Sequence, residues 1–413
     1  MATSQVDDRA QRILDQVTAD GRDPEKLLAR LKSFAIETPS WGYADTGTRF
    51  GKFHQPAAAR TMCDKLDDAA QVHKLTGICP SVAVHVLWDF PNGPDPKVGE
   101  YAQKAGVRIG AINPNVFQAQ CYKYGSFGNR DAQVRRKAIQ HCLDSVALGK
   151  AVGSNALSLW FADGTNYPGQ DDIRSRKRRF AEGLREVHAA MPPGMTMLVE
   201  YKPFEPAFYH TDVADWGMAY LLAKAAGPEA RVLVDTGHHY LAQNIEQIVA
   251  WLIDENMLGG FHFNDRRYSD DDLTLGSIDP YQVFRIFHEI VSAEEERGQA
   301  LNIAYMVDQS HNLKPKIEAM IQTVTTAHEL FAKALLVNRA KLRDAQSKDD
   351  VVGAEETLRA AFFTDTRPLI GYVRQQMGLE ADALAAHRAS GYEARVAQER
   401  TAKHGSPSEA SYA

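Results

Sequence analysis

Eight times along this chain a short apolar run gives way to an amphipathic stretch. The runs are Phe34–Ile36, Val82–Leu87, Val107–Ile112, Ala156–Phe161, Met195–Val199, Val232–Val234, Gly260–Phe263 and Ile303–Val307. They have strand length and are often β-branched, as expected for parallel strands buried on both faces. The stretches between them carry helix punctuation. Ile173–Ala190 follows the capping pair Asp171-Asp172, and Val213–Ala226 follows Thr211-Asp212 and stops at Gly227-Pro228. Ile245–Leu258 stops at Gly259-Gly260, and Tyr281–Glu296 follows Asp279-Pro280, with proline at the first helical position. Eight β-then-α units over about 300 residues predict an α/β fold, a (β/α)8 TIM barrel. A doubly wound open sheet would more often place a glycine-rich phosphate turn after its first strand, and Glu37-Thr-Pro-Ser-Trp41 is not one. The pattern ends near residue 337, so residues 1–337 are read as the catalytic barrel. Residues 338–413 are read as a C-terminal helical extension, helical over Asn338–Gly378 and Ala381–Lys403, with a loose polar tail from His404.

Charge excludes some functions. The 413 residues carry a net charge of −6, which makes no electrostatic case for nucleic acid or an anionic membrane. The basic run Arg174–Arg179 lies in a helical pattern with Phe180 and Leu184 and reads as a solvated helix face. No apolar run approaches the roughly 18 residues of a membrane span. The N-terminus is polar, and Cys63, Cys79, Cys121 and Cys142 form no CxxC pair, so the expected location is cytoplasmic, with free thiols.

Barrel chemistry sits at the C-terminal ends of the strands. Those ends read Trp41, His85 with Trp88 and Asp89, Asn113 with Asn115, Trp160 with Asp163, Glu200 with Lys202, Asp235 with His238, His262 with Asn264 and Asp265, and Asp308 with His311. Nearly every end is acidic, basic, imidazole or indole, and all converge on one mouth. Glu200 and Lys202 are two apart, so their side chains point the same way. Glu200, Asp235, His262 and Asp308 come from strands five to eight in order and can surround one cation. Three carboxylates and an imidazole favour a hard or borderline divalent ion, Mn²⁺, Co²⁺, Mg²⁺ or Zn²⁺. His238, Asp270 and Asp272 can hold a second ion, with Asp235 shared as a bridge. In an extended loop Asp270 and Asp272 would face one side.

Glu200-Tyr-Lys202, Asp235…His238 and Asp270-x-Asp272-Leu273 resemble the motifs of the xylose-isomerase-like aldose–ketose isomerases. Leu159–Gln170, Val234–His239 and Phe261–Asp265 are more similar to the broad-specificity L-rhamnose isomerases. His262 follows that branch, where xylose isomerases carry Asp. The resemblance implies a barrel with a C-terminal helical extension, a homotetramer, and two divalent ions per chain, with Mn²⁺ first. It implies a monosaccharide substrate, L-rhamnose to L-rhamnulose with D-allose to D-allulose as a side activity, by a metal-assisted hydride shift between C1 and C2. An enediol route with a carboxylate base is the rival.

Under the resemblance His85 is the candidate for ring opening, with Asp89 orienting it, and Lys202 is the donor to O1. Asp270 and Asp308 complete the catalytic set. Trp41, Trp88 and Trp160 offer flat walls to the sugar, alongside Glu200, Lys202, His238 and Asp308. Phe50 looks like the residue that reaches into a neighbouring subunit's site. A sugar epimerase of the same superfamily, another aldose isomerase and a non-enzymatic sugar-binding homologue are the alternatives. Two catalytic glutamates with one metal would mark the epimerase, whereas here the last strand ends in Asp308 and a second-metal loop is present. Lost ligands would mark the binding homologue.

Overall fold

The computed structural model describes residues 7–405 apart from 49, 50, 94, 96, 207 and 269. Eight parallel strands pair in chain order: β1 (Thr38–Pro39), β2 (Ser81–His85), β3 (Arg108–Asn113), β4 (Ala156–Leu159), β5 (Thr196–Glu200), β6 (Ala230–Asp235), β7 (Leu258–Phe263) and β8 (Ala304–Val307). Glu37 closes the ring. Its N–H donates to Tyr305 O at 2.8 Å and its carbonyl accepts from Val307 N at 2.9 Å, giving a parallel bridge to Met306. The first strand lies later than its apolar run. Phe34 and Ile36 pack outside the barrel, while Thr38–Pro39 make the ladder with Val82 and Ala83. Proline lacks a donor, so this strand stays short.

Each strand is followed by a helix on the outer face: α1 (Met62–Thr76), α2 (Lys97–Ala105), α3 (Ala132–Val152), α4 (Ile173–Ala189), α5 (Trp216–Ala226), α6 (Ile245–Asp254), α7 (Pro280–Arg297) and α8 (Lys316–Leu336). Helix α2 had no clear sequence signal. Helix α5 begins at Trp216 rather than Val213, because Asp215 caps Met218 N while Asp212 is drawn off to Arg176 and Thr165. Arg176 itself is buried, so the basic run of α4 is not wholly solvated. Two helices, Asp8–Ala19 and Pro24–Lys32, precede the barrel.

Five helices follow it: α9 (Arg339–Ser347), α10 (Val351–Phe363), α11 (Arg367–Gln376), α12 (Ala383–Ala389) and α13 (Tyr392–His404). The last two divide the expected Ala381–Lys403 segment at Gly391, which has φ of +66°. Arg400 anchors α13 to α1 by donating to both oxygens of buried Asp68 at 2.8 and 2.9 Å, and Tyr392 Oη adds a third donor at 2.9 Å. Among the described residues no helix is long and apolar enough to cross a membrane.

Alternation along the strands builds the site. Val82, Val84, Met197, Val199, Val232, Val234, Phe261 and Phe263 face the helices in the outer core. Their neighbours Ala83, Ala111, Leu198, Leu233 and Met306 fill the barrel interior. Side chains two residues further on remain inside. That step turns Ala83 into His85, Leu198 into Glu200, Leu233 into Asp235 and Met306 into Asp308 at the C-terminal rim. Register holds the rim level, with His85 paired to Asn113 and Asp235 to His262.

Candidate metal centre

Glu200, Asp235, His262 and Asp308 meet at this rim, each offering a ligand atom within 4.8 Å of the others. Glu200, Asp235 and His262 are buried and Asp308 is half-buried. Glu200 lies between two imidazoles: its Oε2 is 3.3 Å from His262 Nδ1 and its Oε1 is 3.2 Å from His238 Nδ1. Burial opposes ionisation of Glu200, but His262 and His238 outweigh it and hold its carboxyl well below the usual range. For His262 burial opposes charge as well, and Glu200, Asp308 and Asp235 raise it to about 9. Burial pushes Asp235 up to about 7, with Glu200 and Asp308 adding repulsion. Both ring nitrogens of His262 are buried without a hydrogen-bond partner. His262 Nδ1, 3.3, 4.0 and 3.7 Å from carboxylate oxygens of Glu200, Asp235 and Asp308, fits a ligand of a divalent cation held among the three carboxylates.

Asp235 is held from behind. Its Oδ1 accepts from Gly237 N at 2.7 Å and from Asn264 Nδ2 at 3.0 Å, and Asn264 also reaches Oδ2 at 3.2 Å. Oδ1 is therefore engaged by backbone and amide, while Oδ2 lies 3.9 Å from His238 Nδ1 and 4.0 Å from His262 Nδ1. Glu200 has one oxygen toward each histidine.

The second expected set is arranged differently from its sequence reading. Asp270 and Asp272 do not lie in an extended segment: both adopt left-handed backbone, with φ of +60° and +47°. Such conformations in non-glycine residues cluster where function over-determines the chain. Asp270 Oδ1 meets His238 Nε2 at 2.9 Å, and its Oδ2 meets Lys202 Nζ at 2.5 Å. Burial opposes ionisation of Asp270, but His238 and Lys202 hold it below the usual range. Asp272 is pushed well above that range by burial and by Asp308, Asp270 and Asp235, which places it against the same acidic cluster. His238, Asp270 and Asp272 do not close into a ligand group as tight as the first.

Lys202 stands at the mouth with Asp270 on one side and Glu205 Oε2 at 3.0 Å on the other, its ammonium 5.0 Å from the Trp160 ring centre. Burial alone would neutralise it, but Asp270 and Glu205 keep it firmly cationic. His85 lies in an aromatic wall, with ring centres 4.7 Å from Trp41 and 4.0 Å from Trp88. Burial lowers it to about 3, with the His262 and Lys65 charges adding to the effect. Its Nδ1 has no hydrogen-bond partner. Asp89 does not orient the ring as expected: its Oδ2 accepts from the His85 backbone N at 2.8 Å and from Ser40 Oγ at 2.6 Å, and its Oδ1 pairs with Lys65 at 2.5 Å. It braces the end of the strand rather than the imidazole.

Trp41 Nε1 donates to Asp308 Oδ1 at 2.8 Å, tying the wall to the carboxylates. Phe117, absent from the sequence reading, bridges Trp88 and Trp160 at 6.1 and 4.9 Å. It lies four residues past the end of β3, where no strand periodicity marks it. Asp163 turns away from the mouth, where it is buried and accepts from Ser126 N, Ser126 Oγ and Gly128 N. Phe50 lies outside the described residues.

The model of the xylose isomerase-like TIM barrel matches residues 81–291. The chain belongs to that family. Similar proteins include a probable sugar isomerase of Rhizobium meliloti, 42% identical over 95% of this chain and 92% of its own. Another, from Mesorhizobium japonicum, is 41% identical over 92% and 89%. A xylose isomerase of Thermus thermophilus is 24% identical over 52% of this chain and 60% of its own. Among solved structures, an L-ribulose 3-epimerase superposes with a TM-score of 0.54 at 12% identity, over 76% of this chain and 97% of that one. The zinc-bound IOLI protein gives 0.52 at 15%, over 73% and 99%. At these identities the likeness is one of fold.

Proposed function

We propose that this protein is a metal-dependent aldose–ketose isomerase, acting on L-rhamnose and more weakly on D-allose. The observation that carries the reading is the junction of Glu200, Asp235, His262 and Asp308 with a cationic Lys202 and an aromatic wall at one rim. The similarity to probable sugar isomerases over nearly the whole chain supports it.

Glu200, Asp235, His262 and Asp308 would hold one divalent ion. His238, Asp270 and Asp272 would hold the second, with Glu200 shared between them. When bound, divalent ions supply Lewis acidity to the oxygens of an open-chain sugar. The residues of the chain do the rest. Lys202 donates a hydrogen bond to O1, where charge develops as hydrogen moves between C1 and C2. Neutral His85 handles the ring-oxygen and O1 protons during ring opening. Trp41, Trp88, Phe117 and Trp160 present apolar faces to the sugar and exclude water from the transferring hydrogen. The assembly proposed is a homotetramer.

The test is a panel of L-rhamnose, L-mannose, L-lyxose, D-allose and D-xylose with metal-stripped protein reloaded with Mn²⁺. The expected order of kcat/KM has L-rhamnose first. No isomerisation of any aldose with Mn²⁺, Co²⁺ or Mg²⁺ would remove the proposal. Isomerisation of L-rhamnose in D₂O without carbon-bound deuterium supports direct hydride transfer, and extensive incorporation refutes it.

A further inference from the structure

The opposite end of the barrel is not filled in the usual way. Barrel interiors are normally packed with bulky branched side chains. Here two β-bulges put glycines inside. One extra residue in β3 separates Ile109 from Ile112 opposite Val82 and Val84, and one in β7 separates Leu258 from Gly260 opposite Val232 and Leu233. Gly110 and Gly259 occupy these bulges. A Cβ on Gly110 would fall 1.5 Å from Glu37 Oε2, and one on Gly259 would fall 2.4 Å from Arg231 Cβ. The glycines thus admit one buried carboxyl and one arginine stem.

A cavity of about 660 Å³ results, running from the N-terminal ends of the strands down to Glu37, Ser81 and Ala111. That volume lies in the range of small-molecule sites. Glu37 forms its floor, accepting from Ser81 Oγ at 2.6 Å and Ala111 N at 2.8 Å. Arg108, Arg231 and Arg297 line the same cavity. None of the three is ion-paired to a carboxylate among the described residues. Arg231 donates to the Pro228 and Ala230 carbonyls and Arg297 to the Ile253 carbonyl, leaving further N–H groups on each. The one other carboxylate of the lining, Glu229, is paired with His188 Nε2 at 2.9 Å. The cavity therefore carries three guanidinium groups that are in no ion pair among the described residues, the Glu229 carboxylate, side-chain amides of Asn155, Asn256 and Asn302 along its walls, and a hydrogen-bonding floor.

We propose that this funnel binds a small sugar derivative bearing an oxyanion, a phosphate or a carboxylate, at a site separate from the metal centre. Guanidinium groups match such oxyanions by paired N–H donors. The amides and Glu37 take the hydroxyls.

The test is calorimetric titration of the full chain with a hexose 6-phosphate, gluconate, inorganic phosphate and a neutral hexose. At least one anionic sugar should bind saturably, and more tightly than inorganic phosphate. The phosphate and gluconate arms identify the oxyanion. Arg108→Gln/Arg297→Gln, which alters two exposed side chains, should weaken binding by about tenfold or more, with an unchanged melting temperature showing the fold intact. Lys202→Met, at the other end of the barrel, should leave it unaltered. No saturable binding of either anionic sugar up to about 10 mM, equal binding by the double arginine variant, or loss of binding in Lys202→Met would overturn the site. Phosphate binding as tightly as the sugar phosphate would overturn the recognition of hydroxyls.

Discussion

Asn264 makes no contact that the sequence would mark as metal chemistry, yet metal affinity should depend on it. Its amide donates to Asp235 Oδ1 at 3.0 Å and Oδ2 at 3.2 Å, leaving Gly237 N as the other donor to that carboxylate. Asn264→Ala removes the side-chain donor and frees Asp235 to rotate about its last torsion. A hydrogen bond to a charged group contributes about 1.5–3 kcal/mol. At about 1.4 kcal/mol per tenfold, the apparent affinity for Mn²⁺ should fall by roughly 10- to 100-fold, the usual size of an effect from a group that orients a ligand. Asn264→Asp keeps the shape but sets a second carboxyl against Asp235, and should weaken Mn²⁺ binding at least as much. The assay is competition with a fluorescent chelator at pH 7, with circular dichroism confirming the fold of each variant. Mn²⁺ affinity within twofold of wild type in both folded variants would show that Asp235 is not a ligand, or needs no orientation from Asn264.

Glu200→Gln should lose both ions and His238→Asn only one, read as metal equivalents per chain by mass spectrometry; two ions retained in Glu200→Gln would return the bridge to Asp235. Arg400→Ala strands buried Asp68, whose carboxyl burial already raises to about 6 against the pull of Arg400, and should cost about 3–5 kcal/mol in urea unfolding. Asp68→Asn in that background should recover part of the loss, and failure to do so refutes the buried-charge account. His328, stacked 5.2 Å from Phe34 with Nε2 3.0 Å from Leu31 O, is lowered by burial to about 3 from an ordinary 6.5. The unfolded chain therefore binds the extra proton, and stability present above pH 6.5 is lost as pH falls toward 3. Near pH 5.5 the loss from this group should be about 1.4 kcal/mol relative to pH 8; His328→Gln should flatten that part of the profile, and an unchanged slope refutes the assignment.

The rim residues were legible because strand alternation is local. Glu200 and Lys202, or Asp235 after Leu233, declare their common face by spacing of two. What lay beyond one strand was harder to read. Asp163, four residues past the end of β4, and Asp235, the last residue of β6, both read as aspartates near a strand end, and only packing shows that Asp163 serves Ser126 and Gly128 while Asp235 faces the histidines. Asp89 is near His85 in the chain, but its carboxylate meets the His85 backbone N–H and two side chains 49 and 24 residues away, which spacing along one strand does not reveal. Phe117 left no sequence signal, since a loop aromatic has no periodicity.

By itself the sequence determined the eightfold alternation, the barrel it requires and the residue types at each strand end, because burial of parallel strands and the two-residue period act within each segment. Tertiary structure alone decided which oxygen faces which histidine, the left-handed turns at Asp270 and Asp272, and the bulges that admit Glu37 beneath the barrel floor. Those features depend on groups brought within a few ångströms from distant segments, where hydrogen bonding and desolvation act on distances in space rather than on spacing along the chain.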